Sequence, residues 1–190
     1  YAILISKIFN AKIIVRANSA PSGWSHNMFK KKIYSFLINL ADDVMVNSIQ
    51  FKKDFKKIFN IKTKYIYNPF DKTLIKKNNN KKNLFKKKSL KILSIGRLTS
   101  QKDHITLLKA AKFINPNLNP EILIIGKGSE YCNLKNYIKI NNLKNIVKLI
   151  GYKKQPYSYI QKSDIFVLTS KYEGLPNVLL EAQYLKKYII

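Results

Sequence analysis

Arginine is almost absent. Only Arg16 and Arg97 stand among 36 basic residues, and the other 34 are Lys. Base readout and bidentate phosphate gripping favour the guanidinium fork, so the net charge of +26 does not by itself make a nucleic-acid-binding protein. The chain also has 27 Ile and 20 Asn. These share AT-rich codons with Lys, so codon bias explains much of the excess. Attraction to an anionic membrane surface needs only Lys and survives that objection. A single cysteine, Cys132, excludes an internal disulfide and reads as a buried thiol in a reducing compartment. No apolar run approaches the roughly 20 residues that span a bilayer, and no signal-peptide pattern is visible. Carboxylates are scarce, with four Glu in 190 residues.

What is present is core-forming material. Hydrophobic residues make up 46% of the chain, with 12 Tyr and 10 Phe, which excludes a disordered protein. The length leaves room for one ordinary domain or two small ones. The chain opens on Tyr1 and closes on Lys187–Ile190, which reads as the opening of a buried strand. An unfinished strand leaves its neighbour with unpaired backbone groups, so the expectation is a fragment lacking both ends.

Residues 1 to 9 resemble the end of a buried helix. Lys12 to Val15 is a β-branched run, hence a strand. A polar loop follows, with Trp24 and His26, the latter read as a surface residue. Met28 to Leu40 spaces Phe29, Ile33, Phe36, Leu37 and Leu40 like a helix face. Asp43 to Asn47 and Lys64 to Tyr67 read as strands. Between them, Ser48 fits the N-cap of a helix running to Phe59. Residues 72 to 91 hold nine Lys and the run Asn78-Asn79-Asn80, with little to bury, and read as a linker. Beyond it, strands at 91–95, 121–125, 147–150, 165–168 and from 188 alternate with helices at 103–114, 130–140, 156–161 and 176–186. Apolar strands alternating with helices imply parallel sheets covered on both faces. The expected organisation is an α/β protein with two Rossmann-like domains, the first incomplete (1–69) and the second truncated (90–190), joined by a Lys/Asn-rich linker (70–89).

Ligands of open α/β sheets bind beyond the carboxyl ends of the strands, which selects four loops. They begin at Gly96-Arg97, at Gly126, at Gly151-Tyr152 and at Ser170. In the fourth, Pro176 suits a first helical turn, Gly174 permits close backbone approach, and free amides near Asn177 and Val178 would face the loop. Such a helix start carries roughly half a positive charge and attracts anions. Arg97 and Lys102 would supply cations for a diphosphate. Glu181 would accept hydrogen bonds from paired hydroxyls, as on a ribose, and Glu173 from those of a sugar. Taken singly each has a plainer reading. Pro and Gly are common punctuation, Glu181 would be a solvated helix residue, and Gly126-x-Gly128 falls short of the full dinucleotide fingerprint. The reading rests on all four loops lying at one sheet edge.

These residues match a family. Gly96-Arg97-Leu98 with Gln101-Lys102, Ile124 to Gly128, Ile150-Gly151 and Ser170 to Ala182 resemble the donor-binding domain of family-four glycosyltransferases. The pair Glu173 and Glu181, seven residues between them, resembles the family's signature. Upstream, Arg16-Ala17-Asn18, Ala41-Asp42, Asn47-Ser48 and Ile66 to Pro69 resemble the end of the acceptor domain. The resemblance implies a two-domain GT-B fold, a nucleoside-diphosphate sugar donor with UDP favoured over GDP, and retention of anomeric configuration. It implies that Arg97 and Lys102 hold the leaving diphosphate. Glu173 would contact the donor sugar beside the Gly174-Leu175-Pro176 backbone, Glu181 the ribose, and Gly151-Tyr152 the base. Arg16 and Asn18 would lie on the acceptor side, Asn18 where several relatives place His. No bound metal is expected, and no Asp-x-Asp motif occurs.

Helices Met28–Leu40 and Ser48–Phe59 mix Lys with aromatic residues, either as core helices with a solvated Lys face or as a surface for an anionic membrane. The resemblance therefore implies a cytoplasmic enzyme, peripheral on the inner face of the plasma membrane, acting on a cell-envelope glycan or lipid-linked acceptor. Two rivals stand beside it. A GT-B sugar-nucleotide epimerase would need catalytic carboxylates that the sequence does not offer. A non-enzymatic basic module would bind polyanions in a salt-sensitive way, indifferent to Glu173 and Glu181, and nucleic acid is not the expected partner.

Overall fold

The computed structural model describes residues 1–18, 27–77, 85 and 88–190. The polar loop with Trp24 and His26, and the Asn78-Asn79-Asn80 run, lie outside the described residues. The chain forms two compact units. One comprises Tyr1–Pro69 with Tyr172–Pro176, the other Phe70–Lys171 with Asn177–Ile190.

The first unit runs α1 (Ala2–Ile8), β1 (Ile14–Ala17), α2 (Met28–Asn39), β2 (Asp43–Val46), α3 (Ile49–Phe59) and β3 (Lys64–Tyr65). Its strands form a parallel sheet in the order β1-β2-β3. The central strand buries Val44 and Val46. Against it packs α3, whose Phe51, Phe55 and Phe59 recur every four residues, fall on one helix face and are all buried. Ser48 caps that helix as expected, its hydroxyl accepting from the Phe51 amide at 3.1 Å. Asn60 ends it in a left-handed conformation, which Asn tolerates better than most residues. Asp42 ties the unit's start together, accepting from the Ile13 amide at 2.7 Å and from Lys7 at 3.2 Å. The backbone bond, then Lys7, holds its carboxyl below the usual range.

Two expectations fail here. Helix α1 buries only Ser6, not a broad apolar surface. On α2 the expected core face is turned out, with Phe29, Ile33 and Phe36 exposed, while Ile38 is the buried residue. The 3.6 period located the helix, but periodicity alone does not say which apolar residues find a partner.

The second unit contains α4 (Lys72–Lys77), β4 (Leu90–Ile95), α5 (His104–Ala111), β5 (Pro120–Ile125), α6 (Tyr131–Ile140), β6 (Val147–Gly151), α7 (Tyr157–Lys162), β7 (Ile165–Phe166), α8 (Asn177–Tyr184) and β8 (Tyr188–Ile189). All its strand pairs are parallel, in the order β6-β5-β4-β7-β8. Strand residues alternate between the faces. Ile92, Ile122 and Ile124 pack with α5 and α6 through Leu107, Leu108, Leu134 and Ile138. Leu93, Ile95, Leu123 and Ile125 pack on the other face with Ile160 of α7 and Ala182 of α8. Both faces are covered, which is why β5 reads as an unbroken apolar run. The stretch expected as linker has more fixed structure than its composition foretold. Residues 72–77 are helical, and Ile75 and Phe85 are buried. Cys132 is exposed, contrary to the buried thiol expected, because α6 turns Leu134 and Ile138 inward and leaves Cys132 on its outer side.

Leu123 is fully enclosed on the central part of the larger sheet. Leu123→Ala should lower the unfolding free energy in urea by about 2–5 kcal/mol. Phe36→Ala, on an exposed position, should stay within about 0.5 kcal/mol of the parent.

Candidate active site

In the second unit the chain leaves β4 toward β5 on one side, and β7 lies on the other. The carboxyl ends of β4 and β7 therefore flank the topological switch point, where such sheets bind ligands. The loops that follow them are tied together. The Lys171 amide donates to the Gln101 carbonyl at 2.9 Å, and the Thr169 hydroxyl to the Lys102 carbonyl at 3.2 Å.

The loops after β4, β5 and β6 are laced by backbone bonds that continue the ladder past the strands. The Gly96 amide donates to Ile125, Leu98 to Lys127 and Gly126 to Gly151, each at 3.0 or 3.1 Å, and Glu130 returns a bond to the Leu98 carbonyl at 2.9 Å. This lacing leaves no room for side chains. A Cβ on Gly126 would run into the Gly96 carbonyl oxygen, and one on Gly128 into the Leu98 backbone. Gly126-x-Gly128, weak as a motif, is thus demanded by packing. Gly151 has space around it but a φ of +75°, the left-handed region that favours glycine.

A cavity of about 240 Å³ opens at this edge, lined by Gly96, Arg97, Gly126, Lys127, Tyr152 and Lys153 among others. Arg97 is exposed, its guanidinium 3.5 Å from the Gln101 amide oxygen. Lys102 lays its aliphatic stem over Gly96, where a Cβ would come 3.3 Å from its Cδ. The Lys127 ammonium sits 5.5 Å from the centroid of the Tyr152 ring, a cation–π arrangement. Gly96, Arg97, Lys102, Gly126, Gly151 and Tyr152 are therefore gathered at the ends of three adjacent strands.

Glu181 lies on the second turn of α8, half-buried, and burial raises its pKa. Tyr157, at the start of α7, has its phenol raised by burial first, then by the charges of Glu181 and Asp71. These three acidic groups share one locality, and the sequence reading found only Glu181. Helix α8 begins at Asn177, which is exposed, with Pro176 just before it and Val178 half-buried behind it.

The remaining predicted residues group with the first unit. There the Asn68 amide donates to the Leu175 carbonyl at 2.9 Å, while its oxygen accepts from Arg16 at 3.0 Å. A Cβ on Gly174 would come 2.7 Å from Phe51 and 3.0 Å from the Asn47 amide. Glu173 is half-buried and Asn18 exposed. Asn68 was legible only as part of the Ile66–Pro69 match. Its bridging role needed coordinates. Among the described residues no group of three or more His, Cys, Asp or Glu is placed to hold a metal ion. No helix among them is long and apolar enough to cross a membrane.

One buried titratable group was missed. His104 is 3% exposed, with Nδ1 3.3 Å from the Ser94 hydroxyl. Burial, then Lys102, lowers its pKa from 6.5, against opposing contributions from the Gly96 and Arg97 backbone and from Asp103.

A parallel, doubly covered sheet with glycine-laced loops at its switch point defines a Rossmann-like α/β architecture, and solved GT-B glycosyltransferases share it. HepE of Anabaena, solved with UDP-glucose, superposes with a TM-score of 0.77 at 20% identity, over 99% of this chain and 55% of its own. The family model described as glycosyl transferases group 1 matches residues 75–190. An uncharacterized glycosyltransferase of Methanocaldococcus jannaschii is 31% identical over 99% of this chain and 50% of its own length. The N-acetylgalactosamine-N,N'-diacetylbacillosaminyl-diphospho-undecaprenol 4-alpha-N-acetylgalactosaminyltransferase of Campylobacter jejuni is 31% identical over 96% of this chain and 52% of its own. The chain belongs to the glycosyl transferases group 1 family. It spans about half the length of these curated relatives.

Two tests follow from this geometry. Gly126→Ala should lower the thermal midpoint more than Gly151→Ala, because the first forces laced backbones apart (about 1–3 kcal/mol or more). The second costs only the left-handed φ (about 1–2 kcal/mol). For His104, the folded pKa lies below the unfolded value, so the unfolded chain binds the proton more readily. Its stability contribution is complete above pH 6.5 and lost as pH falls below it. Unfolding free energies measured against pH should decline less steeply below 6.5 in His104→Gln than in the parent.

Proposed function

We propose that this chain carries the donor site of a retaining glycosyltransferase that takes its sugar from a nucleoside diphosphate, UDP in preference to GDP. The observation that supports it most directly is the cavity at the ends of β4, β5 and β6, where Gly96, Arg97, Gly126 and Tyr152 come together with Lys102 stretched over Gly96. Two cations on one glycine-floored loop suit a diphosphate. The negative charge that builds on the departing phosphate is met by groups already in place. In this reading the exposed Tyr152 borders the base. Glu181 holds the ribose hydroxyls, and partial burial strengthens those hydrogen bonds. Glu173 contacts the sugar, with the Gly174-Leu175-Pro176 backbone beside it and the amides near Asn177 and Val178 facing the phosphates. Arg16 and Asn18 serve the acceptor side. No resident metal is required in this scheme, since Arg97, Lys102 and the helix start supply the positive charge.

The acceptor is a cell-envelope glycan or lipid-linked saccharide, handled by a cytoplasmic enzyme at the inner membrane face. The Campylobacter relative is named for a diphospho-undecaprenol acceptor, and HepE was solved with UDP-glucose. Both support this assignment. So does helix α2, where exposed Phe29, Ile33 and Phe36 run alongside Lys30, Lys31 and Lys32, a combination suited to an anionic membrane. Membership of a transferase family favours transfer over the epimerase and polyanion-binding readings.

The test is a thermal-shift panel of UDP, GDP, ADP and CMP on the folded chain, repeated on Arg97→Ala and Glu181→Ala. UDP at a hundredfold excess over its Kd should add about 2.7 kcal/mol, or about 5–10 °C at this chain length. The shift should largely vanish in both variants. A folded chain indifferent to all four nucleotides would remove the donor-site assignment.

A further inference from the structure

The loop from Gly96 to Asp103 is bracketed by two buried polar side chains, Ser94 on β4 and His104 at the start of α5, exposed by 0% and 3%. They reach each other beneath it, Ser94 Oγ to His104 Nδ1 at 3.3 Å. The imidazole is brought there by Asp103, whose left-handed backbone (φ 48°, ψ 41°) turns the chain sharply as it enters the helix. Asp103 leaves the cap amides alone and instead accepts from the Thr106 hydroxyl at 2.9 Å.

The other ring nitrogen, Nε2, makes no hydrogen bond of good geometry, although the Gly96 and Arg97 backbone lies near enough to the ring to favour its charged form, and the Thr99 and Ser170 hydroxyl oxygens are buried without partners. A cavity of about 100 Å³ lies here, lined by Thr99, Ser100, Asp103, His104, Glu130 and Lys171 among others. It therefore touches both the loop after β4 and the loop after β7. A buried polar atom left unpaired costs about 1–3 kcal/mol. The cavity has room for ordered water, with Thr99, Asp103, His104 and Glu130 on its wall to partner it.

We propose that His104 is a positioning residue for the Gly96–Lys102 loop: joined to Ser94 through Nδ1 and to Thr99 and Ser170 through ordered water, it fixes the loop so that Arg97 and Lys102 present their charges to the diphosphate. This rests on the donor-site reading above. The ring acts as a neutral strut. Burial and Lys102 disfavour its protonated form, and a second cation beneath the loop would compete with Lys102 for the same anion.

The experiment titrates the folded chain with UDP and with uridine by calorimetry, in the parent, His104→Ala, His104→Asn and Ser94→Ala. His104→Ala should weaken UDP by roughly three- to tenfold, the worth of about one net hydrogen bond, and leave uridine unchanged. His104→Asn, which restores a polar atom near Nδ1, should recover most of the loss. Ser94→Ala should reproduce the loss while removing only a hydroxyl, which keeps the test decisive where His104→Ala does not fold. UDP affinity unchanged in a folded His104→Ala or Ser94→Ala chain would overturn the proposal. So would an equal loss for UDP and uridine, since that marks general loosening, not loop positioning. A parent chain that binds neither probe would overturn the donor-site reading itself, and this proposal with it.

Discussion

The amide and the carbonyl of Leu98 both reach across to the loop after β5, one to Lys127 and the other from Glu130. Everything at the carboxyl edge of the larger sheet depends on that close approach. It is possible only because Gly126 and Gly128 carry no side chain where the facing backbone passes. It pulls Leu98 into the core, where it is 1% exposed, and this leaves Arg97, its neighbour, facing outward at the mouth of the cavity. The loop is thus held first by its own backbone, with Arg97 left exposed beside the cavity.

The charge of the chain is used sparingly. Many Lys side chains are solvated, and ion pairs among the described residues include Lys7 with Asp42, Lys64 with Asp43 and Lys148 with Glu121. Glu121 is buried on β5 and is answered by Lys148 at 2.8 Å from the adjacent strand, as a buried carboxylate must be. Of the other three Glu, Glu173 and Glu181 lie on the Ser170–Ala182 stretch that resembles the family's signature, and Glu130 lines the small cavity under the loop after β4. In a chain so poor in carboxylates, their positions carry more information than the abundance of Lys.

The strand–helix alternation after residue 90 was legible because each strand is a short apolar run and each helix a clear 3.6 period. Boundaries differ by a few residues, as with α5, which begins at His104 and stops at Ala111. Within the candidate site, Arg97 stood out by its rarity, and Glu173 and Glu181 by their spacing. Asn68, Tyr157 and His104 did not stand out. A lone Asn, Tyr or His in a Lys- and Asn-rich chain has no local pattern, and the partners that give them meaning are distant in sequence. Ser94 and His104 lie on different elements, and Asn68 meets Leu175 across 107 positions. The exposure of Cys132, and the choice between the two readings of α2, were not legible for a related reason. Composition says which residues prefer burial, but only packing says whether a partner is there.

By itself the sequence determined the class of architecture, the parallel character of the sheets and which loops stand at the carboxyl edge of the larger one. Those follow from period, strand composition and the geometry common to all open α/β sheets. Tertiary structure decided the order β6-β5-β4-β7-β8, and so where the switch point falls. It also decided that Gly126 and Gly128 are obligatory, and which buried polar groups stand beneath the loop after β4. Each of these depends on contacts between segments remote in the chain, where the cost of a steric overlap or an unpaired polar atom is set by neighbours that local sequence cannot name.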